Sequence, residues 1–191
     1  MPYSQQHKEK TRKKILNSAR ELFSKRGFDS VTVNEIMEAC SLTRGAFYAH
    51  FSGKSNLYSE ALKYSAMNSE LTKKKPKNIS SKQWLSQLLD VYLSVEHVRG
   101  EEPCPLAFLA TDIVSRDKAA KDAYAEAYKK MNEIIMDYAG VDATCEEGSI
   151  ISLTSMIIGA VAISRTIDDR RSVENILQSC RQQTRLILGE I

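Results

Sequence analysis

The segment from Ser41 to Leu57, SLTRGAFYAHFSGKSNL, concentrates side chains that could contact another molecule. Phe47 and Phe51 stand four residues apart, so on a helix they share one face and can hold it against a core. Thr43, Arg44, Gly45 and Ala46 lie ahead of them, small or donor-bearing, and permit close approach. An arginine fork matches O6 and N7 of guanine and discriminates by about 1–3 kcal/mol, and an alanine methyl can pack on thymine. Tyr48, His50 and Lys54 are spaced to meet phosphate oxygens. Lys54 also opens a predicted helix, whose free N–H groups favour an anion. This chemistry is recognition of double-stranded DNA, not bond making.

Such a segment works only if other elements position it. Ile15, Ala19, Leu22 and Phe23 line one face of a first helix that ends near Gly27. Thr32 and Glu35 form a capping box opening a short helix from Val33 to about Cys40. After a tight turn, a second short helix is expected from Thr43 to about His50. Leu57, Tyr58, Ala61, Leu62 and Ser65 mark a fourth, longer helix. Two short helices across a tight turn describe a helix-turn-helix, whose second helix enters the major groove. Lys8, Lys10, Arg12, Lys13 and Lys14 add charge that attracts any nucleic acid.

The charge is unevenly distributed. The net formal charge is +3, yet residues 1–75 hold 14 Lys and Arg against 7 Asp and Glu, while the remainder is mildly acidic. A basic head meeting an anion and a body that does not is the expected division. The lysine-rich run Lys73–Asn78 breaks the helical pattern and is expected to be a solvated linker.

Beyond it the pattern remains helical. One helix carries Trp84, Leu85, Leu88, Leu89, Tyr92 and Val95 and ends by Gly100, and a short one runs from Pro105 to about Val114. Another carries Ala120 through Tyr138. Thr144 and Glu147 cap a helix to about Ile167, and Ser172 caps the last. The expected fold is all-α with about nine helices: a helix-turn-helix domain over residues 1–62 and a helical effector-binding and dimerisation domain over 63–191.

The helix from Glu147 to Ile167 is apolar nearly all round and must be buried on more than one side. Gly159, Ala160 and Ala162 permit close approach, and pairing with the last helix could build a homodimer interface. Trp84, Tyr92, Phe108, Tyr124, Tyr128 and Met131 are candidates to line a pocket for a small lipophilic effector. Cys104 precedes a predicted helix start, where the dipole lowers a thiol pKa, making it a candidate redox sensor.

Other chemistries lack support. There is no G-x-S-x-G, Walker loop or H-E-x-x-H, so no enzyme is expected, and neither a cofactor nor a metal is implied. Cys40, Cys104, Cys145 and Cys180 are dispersed without CxxC spacing, like His7, His50 and His97. Charges from Lys8 to Lys14 leave no apolar stretch of the signal-peptide kind, and with the dispersed cysteines a cytoplasmic location is expected. The apolar run Ile150–Ile163 falls short of the roughly 18 residues of a membrane span, so no membrane partner is expected.

Residues 11–62 resemble the DNA-binding domain of the TetR family of bacterial transcriptional regulators. The likeness is carried by Ile15-Leu16, Ala19, Leu22-Phe23, Gly27-Phe28, Thr32-Val33, Ile36, Ala39, Gly45, Phe47-Tyr48, His50-Phe51, Lys54 and Leu57. It implies an operator-binding head and a ligand-binding, dimerising body. It also implies Thr32, Thr43, Arg44, Gly45, Tyr48, His50 and Lys54 as DNA contacts. Ser41 stands where the family usually has Gly, and Ala46 where it often has a hydroxyl. The expected function is therefore a homodimeric repressor on a near-palindromic operator, released by a small lipophilic or reactive effector. The rivals are a small helical carrier or enzyme using the C-terminal pocket, and a nonspecific DNA-binding protein.

Overall fold

The first helix, α1, runs Gln5–Arg26. In the computed structural model, which describes residues 4–100, 104–140 and 147–189, it is followed by nine more α-helices and two 3-10 turns, with no strand among the described residues. They are α2 (Val33–Ala39), α3 (Arg44–Phe47), α4 (Lys54–Met67), α5 (Ser81–Tyr92), α6 (Val95–Arg99), α7 (Pro105–Phe108), α8 (Lys118–Ala139), α9 (Glu147–Thr166) and α10 (Arg170–Leu188). The 3-10 turns are Glu70–Thr72 and Ile113–Ser115.

Local chemistry explains most boundaries. Ser4 caps α1, its hydroxyl accepting the His7 N–H, and Gly27 closes it with φ +72°. Thr32 and Glu35 cap α2 reciprocally, as expected from their spacing. Three expectations are corrected. The helix foreseen from Trp84 to Gly100 breaks at Leu93, because Ser94 takes an extended backbone and caps a new helix through the His97 N–H. The helix foreseen from Pro105 to Val114 is a single turn followed by a 3-10 turn. The last helix is capped by Asp169, which accepts the N–H of Ser172, so Ser172 lies inside it. The cap expected from Thr144 lies outside the described residues.

The chain divides into two compact units, one of residues up to Met67 with Phe108–Ala127, the other of Asn68–Ala107 with the chain from Tyr128 onward. The packing thus departs from the expected cut at residue 62. In the first unit Ile15, Ala19, Phe23, Ile36, Phe47, Leu57 and Tyr58 form a core that is sealed by Leu109, Ile113, Ala120 and Ala123. These four supply apolar surface that helices α1–α4 lack, and an alternation of helix and linker gives no hint of it. In the second unit α9 packs along α10 and against α6. Its buried face is Ile150, Leu153, Thr154, Ile157, Ala160, Val161 and Ser164. By length and composition alone α9 could cross a membrane, but this face is occupied within the unit.

The turn between α2 and α3 rests on Ser41, the sole non-glycine with positive φ (+56°) among the described residues. A left-handed conformation costs a residue with a Cβ roughly 1–2 kcal/mol. Replacing Ser41 by Gly should therefore raise stability by up to about 1 kcal/mol, after allowing for the freer unfolded glycine. Urea unfolding at constant slope measures it.

Candidate nucleic-acid interface

Helix α3 is one turn long, shorter than the helix to His50 expected from the sequence. Its ladder gives way at Tyr48, where the N–H groups of both His50 and Phe51 converge on the Phe47 carbonyl. A helix this short has too few internal bonds to hold its own place. Phe47, fully buried, does so instead, with Phe51 5.8 Å away ring to ring.

The outer side of the same turn is open. Thr43 is the N-cap residue with an extended backbone, and its hydroxyl makes no capping hydrogen bond. Arg44 is exposed and makes no ion pair or hydrogen bond among the described residues. Gly45 is exposed, and a Cβ there would meet nothing nearer than Thr43 Oγ1 at 3.9 Å. The chain's own packing therefore does not require glycine, and the effect is a low surface beside Arg44. Ala46 is half-buried against the core, so its methyl is partly committed inward. Tyr48 is 59% exposed, large for an aromatic ring.

The basic groups surround this turn. His50 is half-buried, and burial together with Arg12, Lys8 and His7 of α1 holds its pKa below the usual value. Four potential cations thus converge on one corner, and a phosphate would relieve their repulsion. Arg12 is already paired with Glu60 at 3.1 Å and lies over the Phe51 ring. Lys54 is the first residue of α4, where a cation opposes the helix dipole and no acidic residue balances it. Its ammonium rests 4.2 Å from the Phe28 ring centroid, and burial depresses its pKa. An anion at this helix start would turn both costs into attraction.

Thr32 is differently engaged. Its hydroxyl donates to Glu35 Oε2 at 2.7 Å and accepts the Glu35 N–H at 3.2 Å. Donating to a phosphate would mean abandoning the cap. Sequence reasoning missed Phe28, Asp29, Asp112 and Arg116, which form a cluster beside Lys54. Arg116 is 87 residues from Asp29, a separation that no local pattern could bridge.

The effector candidates do not form one set. Phe108 and Tyr124 pack against the core of the first unit. Trp84, Tyr92, Tyr128 and Met131 belong to the second. There Tyr128 joins Thr154 at 3.1 Å, and Thr154 donates to Asn132 at 2.7 Å. A shallow groove between α5 and α10 is lined by Ser86, Asp90, Arg181, Arg185 and their neighbours, and none of the six candidates. Cys104 corrects an expectation: burial pushes its thiol pKa up, although the Tyr92 hydroxyl donates to its sulfur at 3.2 Å. The following helix is one turn, too short for a dipole to overcome this.

Residues 15–61 match the family described as bacterial regulatory proteins, tetR family. The helix-turn-helix end of this chain is thus similar to the TetR family. AcrR of Shigella flexneri, a transcriptional regulator, is 43% identical over 65 residues, which are 34% of this chain and 30% of AcrR. The probable acrEF/envCD operon repressor of Escherichia coli K12 is 39% identical over 51 residues, 27% of this chain and 23% of that protein. The chain thus spans less than a third of these relatives. Over nearly the whole length the likeness is one of fold. Reduced Escherichia coli NemR superposes with a TM-score of 0.78 at 14% identity, covering 93% of this chain and 96% of NemR. A TetR regulator from Legionella pneumophila gives 0.73 at 17%, covering 96% and 99%.

The TetR-type head carries an acid-sensitive joint. Hydrogen bonds from the Thr32 hydroxyl and N–H and from Arg26 hold the Glu35 pKa down to about 2, from an ordinary 4.5. A depressed carboxylate stabilises the fold fully above its unfolded pKa, and this is lost as pH falls toward the folded one. Glu35→Gln should therefore be less stable than the parent at pH 6, with the gap narrowing from about pH 4.5 toward 2. Urea midpoints across that range check it. A constant gap would mean the carboxylate's charge is not what Thr32 and Arg26 hold.

Proposed function

We propose that the chain is a ligand-responsive transcriptional repressor that binds a near-palindromic operator as a homodimer. It acts in the cytoplasm and catalyses no reaction. The observation that carries this is the one-turn helix α3: Phe47 fixes it from beneath while Arg44, Gly45 and Tyr48 stand exposed above. Arg44 and Thr43 would read base edges, and Tyr48, His50 and Lys54 would bind the backbone. The similar proteins, a transcriptional regulator and a probable operon repressor, favour the same reading. Thr32 would serve chiefly by capping α2.

The homodimer would form through α9 and α10. Ile151 and Ile163 of α9 and Leu186 of α10 remain 43–55% exposed. A Cβ on Gly159 would meet nothing within 4 Å, so its smallness has no purpose inside one protomer. A second copy closing on this stripe would use it. Two heads would then address successive groove faces about 34–36 Å apart or a multiple of that. A small lipophilic effector in the second unit would shift the population away from the DNA-bound arrangement. A reactive effector trapped by Cys104 is disfavoured by the raised thiol pKa.

Binding to DNA from upstream of the coding region, compared with a shuffled duplex across a salt series, tests the regulator. Arg44→Ala should relax the preference for the native duplex by about 1–3 kcal/mol, while Lys54→Ala weakens both duplexes alike. Equal affinity of the parent for both would leave only nonspecific binding. For the dimer, Ile163→Asp should give monomers in sedimentation with helical content intact; dimers surviving this change would move the interface elsewhere.

A further inference from the structure

The Phe28 ring carries two cations. Besides Lys54, the Arg116 guanidinium lies 4.7 Å from its centroid. Arg116 is only 12% exposed and held on several sides. It forms a fork to Asp29, Nη1 to Oδ1 at 2.9 Å and Nη2 to Oδ2 at 2.7 Å, and its Nε donates to the Asp112 carbonyl at 3.1 Å. Asp112 in turn accepts the Tyr58 hydroxyl at 2.6 Å. Tyr58 and Phe28 meet edge to face at 5.1 Å. The ring beneath Lys54 is therefore fixed by a residue from the stretch ahead of α8, far from the helix-turn-helix in sequence.

We propose that Arg116 is a positioning residue for DNA binding: without touching DNA, it fixes Phe28 and Asp29 so that Lys54 is presented to a backbone phosphate. The assignment rests on the regulator reading. Two features support it. The Lys54 ammonium has an aromatic face in place of a carboxylate partner, so its direction depends on where Phe28 sits. Asp29, at a distance that attracts Lys54, is itself held by the Arg116 fork and is not drawn into an ion pair with that lysine. Arg116 thereby keeps Lys54 directed but unpaired. A bidentate fork over a ring is a task for guanidinium that a lysine ammonium does not reproduce.

The test is a double-mutant cycle on full-length protein, using a duplex recovered by the parent from a random-sequence pool. Each lost phosphate contact lowers the slope of log affinity against log salt by about 0.9. Lys54→Ala and Arg116→Ala should each lower the slope by that amount per Lys54 contact and weaken binding roughly tenfold. The double variant should be no weaker than Lys54→Ala alone. Asp29→Asn, which removes the exposed half of the fork, should shift the slope the same way and covers the case that Arg116→Ala fails to fold. Arg116→Lys should not restore the slope. Losses that add in the double variant, or parental slopes in Arg116→Ala and Asp29→Asn, would overturn the assignment while leaving the regulator intact. A parent that recovers no duplex from the pool would overturn both.

Discussion

The burial of Phe47 is the contact on which the exposed surface of α3 depends. Four residues of helix cannot hold themselves in place by their own hydrogen bonds. Everything exposed on α3 is aimed by what lies below it, and what lies below is one phenyl ring with no accessible surface. Phe51 and Ile36 share that core, so α2, α3 and the start of α4 are located by one apolar cluster. The turn at Ser41 connects them, closed by the Ser41 N–H on the Glu38 carbonyl and the Leu42 N–H on the Met37 carbonyl, at the cost of a left-handed backbone. Position here comes from packing, and the polar groups inherit it.

Charge is arranged on that scaffold by a different logic. Arg12, Arg26 and Arg116 are each paired with a carboxylate, and their roles are to tie elements together. Lys54 and His50 are instead placed where the free protein makes their charged forms costly, chiefly by burial, with cations of α1 adding to the cost at His50 and a helix start adding to it at Lys54. Surface ion pairs contribute little to stability individually. Their value is in sorting the cations into those committed to the fold and those left for an external anion.

Much of this was legible in the sequence because it is local. The Thr32–Glu35 box, the Gly27 cap and the inward face of Phe47 follow from spacings of four residues or fewer. The length of α3 was not, since its end is set by how Phe51 reaches the core. The breaks at Leu93 and after Phe108 were overrun because apolar periodicity continues across them while the backbone does not. The cluster at Arg116 and the joining of Phe108–Ala127 to the first unit are long-range pairings. Periodicity carries no information on them. The raised pKa of the Cys104 thiol was hidden for a related reason: a helix start is visible in sequence, but the crowding around a sulfur is not.

Leu109, Ile113, Ala120 and Ala123 close the core that Phe23 and Tyr58 begin. A head cut at residue 62 would leave that core open to water and strip Asp112 from the Tyr58 hydroxyl. The unit that carries α3 is thus discontinuous along the chain, completed only by residues encoded some fifty positions later. A chimera joining this head to a foreign body would have to carry two segments, not one, and an alternative body could evolve around it only by keeping the second.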